Sequence, residues 1–303
     1  MNTYDKEYEE DLIIFKSAYM LKRNKIKLVK DNYNNIKIKF HKKLISVNNK
    51  KDLNLLKDKI KNYLLVMNSK CKNFDPTIFY KNFPKTLFNI KGLDKKVIIG
   101  ADGNIRLSKF VNALKLDRIS AIYHELLHLS SLENDKKIYS PLNEGYTQLL
   151  EERYFKEAEP AYYFETQIMK IIELIYGKDE LEKLYFSGEF YNLYNLISKD
   201  ISSNDLNIFY ENLNQIFKIE EKQEIINQID KYREYLNRVF EILLHGLLSK
   251  SSSKVFENPN LFKEYFCISG LCRRGESKYI IDSFNEDKFD EIIEQYKKEN
   301  YRK

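Results

Sequence analysis

The sequence predicts a mostly α-helical protein with a small β component. Only 9 glycines and 5 prolines occur among its 303 residues, and this scarcity of turn formers favours helices over a many-stranded sheet. Apolar residues recur at three- and four-residue spacing along much of the chain, which is the pattern of amphipathic helices. One segment has two short apolar runs around a glycine-containing turn, which is typical of a β-hairpin.

The first part of the chain has helical patterns. Residues 4–30 are rich in charge and predict a helix. The segment DLNLLKDKIKNYLLVM predicts an amphipathic helix with Asp52 as its N-cap, because a side-chain oxygen there can accept from the free N–H groups of the first turn. Polar and Pro-containing stretches at Asn73–Pro76 and Asn82–Lys85 then interrupt the pattern.

The β-hairpin is predicted at Lys95–Ser108. Its strands are Val97–Ile99 and Ile105–Leu107, and Gly103 in the turn between them can adopt a positive φ. No other segment indicates β structure as clearly.

Helical patterns return after the hairpin. The sequence predicts a helix over Leu116–Ser131, a loop over Asn134–Pro141 and a second helix from about Asn143. A third helix has Pro160 near its first turn, where a missing N–H costs nothing, and ends at Gly177.

The remainder of the chain predicts a helical C-terminal domain with no chemical motif. Gln215–Lys250 is one long, mostly helical stretch, and Asp282–Lys297 is amphipathic. His245 lies among apolar residues and is interpreted as a packing residue. The predicted regions are an N-terminal mainly helical region at 1–94, a central core at 95–177 and the C-terminal domain at 178–303.

Bulk properties exclude several partner classes. The net charge of +6 comes from 51 basic and 45 acidic residues spread along the chain, whereas nucleic-acid binding needs a concentrated basic patch. The polar N-terminus has no signal-peptide pattern, and no stretch approaches the roughly 20 apolar residues that cross a bilayer. Three cysteines fit a reducing compartment. We therefore expect a cytoplasmic protein without nucleic-acid or membrane partners.

The motif HELLH contains two of the four histidines in the chain. On a helix, His124 and His128 lie at positions i and i+4 and point the same way, so both imidazoles can bind one metal ion. Glu125 is rotated away from the ligand line and can reach a water molecule on the metal. In HExxH sites this glutamate is the general base.

A catalytic metal site needs a third protein ligand, and the sequence offers one of two known arrangements. Ser131 and Asn134 occupy the glycine and histidine positions of HExxHxxGxxH, which excludes that pattern. Glu144 in PLNEGYTQLLEE begins a following helix, and the loop before Pro141 is long enough for that helix to fold back. Two imidazoles and one carboxylate suit zinc, although the same set can hold other divalent ions.

HELLH followed by LNEG resembles the gluzincin clan of zinc peptidases, and the Asn-Glu-Gly context is similar to that of its aminopeptidase branch. GKDELEKLYFSGEFYNL is similar to segments of uncharacterised metallopeptidases of low-GC Gram-positive bacteria. The gluzincin resemblance covers roughly residues 95–177. It implies a zincin-like catalytic core in which His124, His128 and Glu144 bind zinc and Glu125 is the base.

The resemblance also implies a peptide or protein substrate. The Lys95–Ser108 hairpin would belong to a small sheet whose edge strand receives an extended substrate by strand addition. Gluzincins commonly use a later Tyr or His to stabilise the oxyanion, and Tyr162 and Tyr163 are the nearest candidates. No GxMEN-like segment precedes HELLH, which argues against a typical aminopeptidase.

One position departs from the thermolysin-like pattern. Those members have Asp four residues after the third ligand, where it orients a zinc histidine, and this chain has Gln148 there. A metal-bound histidine still needs an acceptor for its second ring nitrogen. Gln148 and Glu151 share the helix face of Glu144, so either could serve.

Two functional interpretations follow from the sequence. The first is a zinc-dependent peptidase with Glu125 as general base. The second is a non-catalytic regulator or binding module on a peptidase-like fold, because a fold does not fix a function. The intact Glu125 favours the first interpretation. Cleavage specificity and oligomeric state stay open.

Overall fold

A computed structural model of the protein describes residues 45–47, 50–82, 86–90, 104–107, 112–116, 121–131, 141–155, 162–221, 225–274 and 277–301. Most of these residues are helical, which confirms the predicted mostly α class. The helices are α1 (Lys50–Lys70), α2 (Thr77–Asn82), α3 (Ala121–Ser131), α4 (Pro141–Tyr154), α5 (Tyr163–Tyr176), α6 (Lys178–Phe186), α7 (Leu193–Ile197), α8 (Ser203–Glu221), α9 (Ile229–Glu257), α10 (Pro259–Phe266) and α11 (Glu286–Tyr301). The strands are β1 (Ile45–Val47), β2 (Thr86–Ile90), β3 (Asn104–Leu107), β4 (Asn112–Leu116), β5 (Ser269–Arg274) and β6 (Ser277–Asp282).

The described residues fall into two compact units. The first comprises those within Met1–Ile138, Leu150–Glu159 and Glu182–Phe190. The second comprises those within Tyr139–Leu149, Pro160–Leu181 and Tyr191–Lys303. Helix α4 is continuous and contributes residues to both units. The division into regions 1–94, 95–177 and 178–303 stays a prediction.

A four-stranded mixed sheet belongs to the first unit, with strand order β1-β2-β4-β3. Strands β1, β2 and β4 are parallel, and β3 runs antiparallel to β4 at one edge. The predicted strand Ile105–Leu107 lies in β3, whereas Val97–Ile99 lies outside the described residues. The helix predicted from Leu116 begins instead at Ala121, because Leu116 is the last residue of β4 and pairs with Ile90. Pairing of β4 with β2 on one side and β3 on the other therefore decides the structure of Leu116.

Helix α1 buries the face that the sequence predicts. Ile60, Tyr63, Leu64 and Met67 are all at most 1% exposed. The helix starts at Lys50, so Asp52 lies inside its first turn rather than at the N-cap. The helix predicted at residues 4–30 lies outside the described residues.

The boundaries of the central helices follow from their proline and glycine. Helix α4 begins at Pro141 rather than Asn143, because proline at a first helical position loses no hydrogen bond. Helix α5 begins at Tyr163, and Pro160 lies outside the described residues. As predicted, α5 ends before Gly177, which has φ of 94°.

The C-terminal part differs from its sequence pattern in two places. The predicted single stretch Gln215–Lys250 is divided between α8 and α9, and β5 and β6 form an antiparallel hairpin that the sequence analysis missed. Asp282 lies in β6, so the helix predicted from that residue begins at Glu286.

None of the described helices combines the length and apolar content that crossing a bilayer requires.

Candidate metal centre

Helix α3, which carries HELLH, is buried on all sides. The sequence predicts a helix that buries one apolar face and exposes the opposite face, which carries the two histidines. In the structure, every residue from 122 to 131 is buried. His124 is 8% exposed and His128 is 6% exposed. The helix packs against α1, α2, β3 and β4 within the first unit. Charges in such surroundings are screened little by water, so they must be paired or bind a counter-ion.

Hydrogen bonds from α1 and α2 fix the C-terminal half of α3. The hydroxyls of Tyr63 and Ser130 are 2.5 Å apart, and both residues are fully buried. The Asn82 Nδ2 donates to the carbonyl oxygen of Leu129 at 3.0 Å. Such buried polar contacts specify one position of the helix, because breaking either contact leaves a buried polar group unpaired.

Aromatic stacking joins the start of α3 to the end of α4. The Tyr123 ring stacks on Phe155, with centroids 4.2 Å apart and an interplanar angle of 12°. Phe155 also stacks on Tyr63 at 5.8 Å, and Asn62 donates to the Tyr123 hydroxyl at 2.7 Å. The residue before His124 is therefore held directly against the end of the helix that carries Glu144.

The Nε2 atoms of the two histidines face each other. The Nε2 atoms of His124 and His128 are 3.1 Å apart. Two ligands at 2.0–2.1 Å from a tetrahedral zinc ion would be separated by about 3.3 Å. The spacing therefore fits a pair of nitrogens that bind one ion.

Glu151 lies on the other side of the His124 ring. Its Oε2 is 3.3 Å from the His124 Nδ1, and the residue is 2% exposed. Nδ1 can therefore carry the proton and donate a hydrogen bond to the carboxylate, which leaves the Nε2 lone pair for a metal. The Glu151 Oε1 is buried and has no hydrogen-bond partner among the described residues. A buried carboxylate with one unpaired oxygen favours a positive ion nearby, so the surroundings fit a metal.

Glu144 completes the group. One ligand atom from each of His124, His128 and Glu144 lies within 4.8 Å of the others, so this group could hold a metal ion. Glu144 and Glu151 are seven residues apart, which is nearly two helical turns, and they lie on the same face of α4. The same helix face therefore supplies a candidate ligand and the acceptor for His124.

The other two polar residues predicted for the site, Glu125 and Gln148, are also buried. Glu125 is 5% exposed, and its role as a base stays a prediction. Gln148 is 1% exposed, and its Nε2 has no hydrogen-bond partner in the described part of the chain. The structure thus brings Glu151, and not Gln148, to the Nδ1 of His124.

The two candidate oxyanion tyrosines stand at the start of α5. The Tyr163 hydroxyl donates to the carbonyl oxygen of Ser269 in β5 at 3.3 Å. The Tyr162 carbonyl accepts the backbone N–H of Thr166 at 2.9 Å. These contacts give no evidence that either tyrosine stabilises an oxyanion, so that role stays a prediction. His245, predicted to be a packing residue, is exposed.

Gly145 has a steric role that the sequence analysis missed. A Cβ at Gly145 would lie 2.3 Å from the backbone oxygen of Glu165, well inside van der Waals contact. The backbone of α5 therefore passes α4 at a distance that only glycine permits. This close approach explains the glycine of the Asn-Glu-Gly sequence in terms of packing.

Glu182, a buried carboxylate in α6, is a second feature that the sequence analysis missed. It is 1% exposed, and its Oε1 accepts from the Tyr154 hydroxyl at 2.6 Å and the Arg153 Nη1 at 3.1 Å. Its Oε2 accepts from the Asn73 Nδ2 at 3.2 Å and the Cys71 Sγ at 3.5 Å. Burial raises the pKa of the Cys71 thiol to about 11. Because these partners are distant in sequence, no local pattern could have found the cluster.

No protein-family model, curated protein or solved structure matches this chain. The function must therefore be argued from the residues of the site. The resemblance of HELLH and LNEG to the gluzincin clan stays a prediction.

Proposed function

We propose that the protein is a zinc-dependent peptidase that hydrolyses peptide bonds with Glu125 as general base. The observation that supports this most is the convergence of two imidazoles and one carboxylate, from His124, His128 and Glu144, within 4.8 Å. This donor set is typical of catalytic zinc sites, which keep a further position open for water. The proposal includes the zincin-like core and the peptide or protein substrate that the resemblance implies.

In this mechanism, zinc held by the group would lower the pKa of a water molecule and polarise the substrate carbonyl. The Glu125 carboxylate accepts the proton that the water loses as its oxygen attacks the carbonyl carbon. Glu125 then transfers this proton to the nitrogen of the leaving amine while the C–N bond breaks, and the carboxylate is restored. No covalent bond forms between the chain and the substrate.

Glu151 has a different task. By accepting a hydrogen bond from the protonated Nδ1 of His124, its carboxylate keeps the imidazole in the tautomer whose Nε2 can bind a metal. The negative charge of Glu151 also strengthens the ring as a ligand. Glu151 therefore orients a ligand and takes no part in the transfer of the proton from water.

A non-catalytic regulator or binding module is the second candidate. The low exposure of His124, His128 and Glu125, at 8%, 6% and 5%, also suits an enclosed structural metal site. In that case zinc would stabilise the fold, and Glu125 would have no effect on any reaction.

The variant Glu125→Gln tests the proposal. We expect its kcat/KM on a library of internally quenched peptides to fall by about 10²–10⁴-fold, the usual contribution of a general base. Its zinc content should remain that of the wild type, because Glu125 is not a ligand. The control is Glu152→Gln on the exposed side of α4, which should hydrolyse at the wild-type rate.

Three results would decide between the candidates. Equal hydrolysis by Glu125→Gln and the wild type would contradict the role of this base. A zinc-loaded wild type that cleaves no peptide of the library would favour the binding module. Loss of zinc from Glu125→Gln would make Glu125 a ligand and require a different arrangement of the site.

A further inference from the structure

We propose that Glu182 is a positioning residue of the metal centre. Its carboxylate holds the last turn of α4, from which Glu151 orients the imidazole of His124. The inference rests on the proposed metal binding and concerns a residue outside HELLH and LNEG, within the segment GKDELEKLYFSGEFYNL.

The carboxylate of Glu182 accepts hydrogen bonds from two separate segments of the chain. Its Oε1 accepts from Arg153 and Tyr154 in the last turn of α4, and its Oε2 accepts from Asn73 and Cys71 in the segment after α1. Each oxygen accepts from two donors, so protein groups take the place of water around the buried charge. A carboxylate in this state is costly to disturb, because removing one donor leaves a buried charge with fewer partners.

The anchored turn is the one that contacts the metal centre. Tyr154 follows Glu151 by three residues, so the two side chains are neighbours on the helix surface. Phe155 comes next and stacks on Tyr123, the residue before His124. Glu182 on one side and Tyr123 on the other therefore fix the turn whose Glu151 lies 3.3 Å from the His124 Nδ1.

The geometry of a helix extends this effect to Glu144. Ten residues separate Glu144 from Tyr154, which is about 15 Å along the axis of α4. A tilt at the anchored end would be amplified over this length and would displace the Glu144 backbone. Metal–ligand distances tolerate only about 0.2 Å, so a small loss of anchoring would weaken metal binding.

The variant Tyr154→Phe removes the hydroxyl that donates to Glu182 and leaves the ring in place. Its matched control is Tyr232→Phe, which removes a similar buried hydroxyl that donates to the Glu220 Oε1 at 2.5 Å. That pair joins α8 and α9 in the second unit. For both variants, thermal denaturation gives the Tm, and competition with a chelator gives the zinc dissociation constant. The visible spectrum of the cobalt-substituted protein reports ligand geometry.

We expect both variants to lower the Tm, whereas only Tyr154→Phe weakens zinc binding, by about tenfold, as is typical when a residue that supports a ligand is lost. Its cobalt spectrum should also change. Glu182→Gln, which keeps the shape of the side chain, should have the same effects. If Glu182→Gln does not fold, Tyr154→Phe decides alone.

Zinc affinity equal to that of the wild type in Tyr154→Phe would overturn the inference and leave the proposed function intact. An equal loss of affinity in Tyr232→Phe would also overturn it, since the effect would then be one of general stability. A wild type that binds no zinc would refute the metal centre and the inference together. Zinc binding without peptide hydrolysis would refute only the peptidase.

Discussion

The two ring nitrogens of His124 have different neighbours. Nδ1 lies 3.3 Å from Glu151, and Nε2 lies 3.1 Å from the Nε2 of His128. A carboxylate on Nδ1 selects the neutral tautomer with a lone pair on Nε2. Without a metal, the His124 Nε2 can accept one hydrogen bond from a protonated Nε2 of His128. A metal ion would instead use the lone pairs of both rings, and with Glu144 these histidines form a group that could hold one.

At the residue scale, Glu151→Gln should weaken zinc binding. The amide keeps the size of the side chain but loses the charge that strengthens His124 as a ligand. We expect the dissociation constant for zinc to rise by about tenfold, measured by competition with a chelator. Glu152→Gln, an exposed neighbour on α4, is the control and should bind zinc as the wild type does. Unchanged affinity in Glu151→Gln would show that the contact with His124 has no effect on the metal.

At the element scale, the crossing of α4 and α5 depends on Gly145. The variant Gly145→Ala would place a Cβ 2.3 Å from the Glu165 backbone oxygen, so a helix must move. We expect the free energy of unfolding to fall by about 1–3 kcal/mol, as for other overpacked sites, measured by urea denaturation.

The control for Gly145→Ala is Gly246→Ala in α9. There the new Cβ would meet side-chain atoms rather than backbone, the Cγ1 and Cδ1 of Ile201 at 3.0 Å and 3.1 Å, which can shift by a few tenths of an ångström. The better helix propensity of alanine, worth up to about 1 kcal/mol, should offset that contact. A Gly145→Ala variant as stable as Gly246→Ala would contradict the close crossing of the two helix backbones.

Elements whose structure depends on local pattern could be predicted, and those that depend on distant partners could not. The buried face of α1 follows from its own spacing of Ile60, Tyr63, Leu64 and Met67. Leu116, predicted to be the first residue of a helix, instead ends strand β4, which pairs with β2 and β3. Pairing partners far away in the sequence leave no trace in a local window.

The candidate site shows the same distinction. The pairing of His124 and His128 on one helix face follows from helix geometry, whereas Glu144 as the third ligand is what the resemblance to the gluzincin clan implies. The choice of Glu151 over Gln148 as the partner of His124 could not be predicted, because both share one face of α4. That choice depends on which side chain lies at the His124 Nδ1, and this is a contact between residues distant in sequence.

At the scale of the whole molecule, alkaline pH should lower stability. Burial raises the pKa of Cys71 to about 11 from an ordinary value of 9.0, and it also raises the pKa values of Tyr63 and Tyr154. The folded state therefore keeps protons that the unfolded state releases. The contribution of Cys71 is fully present below about pH 9 and is lost as the pH rises to about 11, with a slope of up to about 1.4 kcal/mol per pH unit.

Urea denaturation at a series of pH values from 8 to 11 measures this dependence. We expect the midpoint to fall above about pH 9, and the fall between pH 9 and 11 to be smaller in Cys71→Ala, which has no thiol to titrate. A midpoint that stays constant over this range would contradict the burial of these groups. An equal fall in Cys71→Ala would assign the whole effect to the tyrosines.

The central claim is that His124, His128 and Glu144 bind one metal ion, and the zinc content of the purified chain tests it most directly. Elemental analysis after incubation with zinc and removal of the excess should give about one zinc per chain for the wild type. His128→Ala should lose it, and His245→Ala, which removes an exposed histidine of α9, should keep it. A wild type without stoichiometric zinc, or a His128→Ala variant that retains it, would contradict the account.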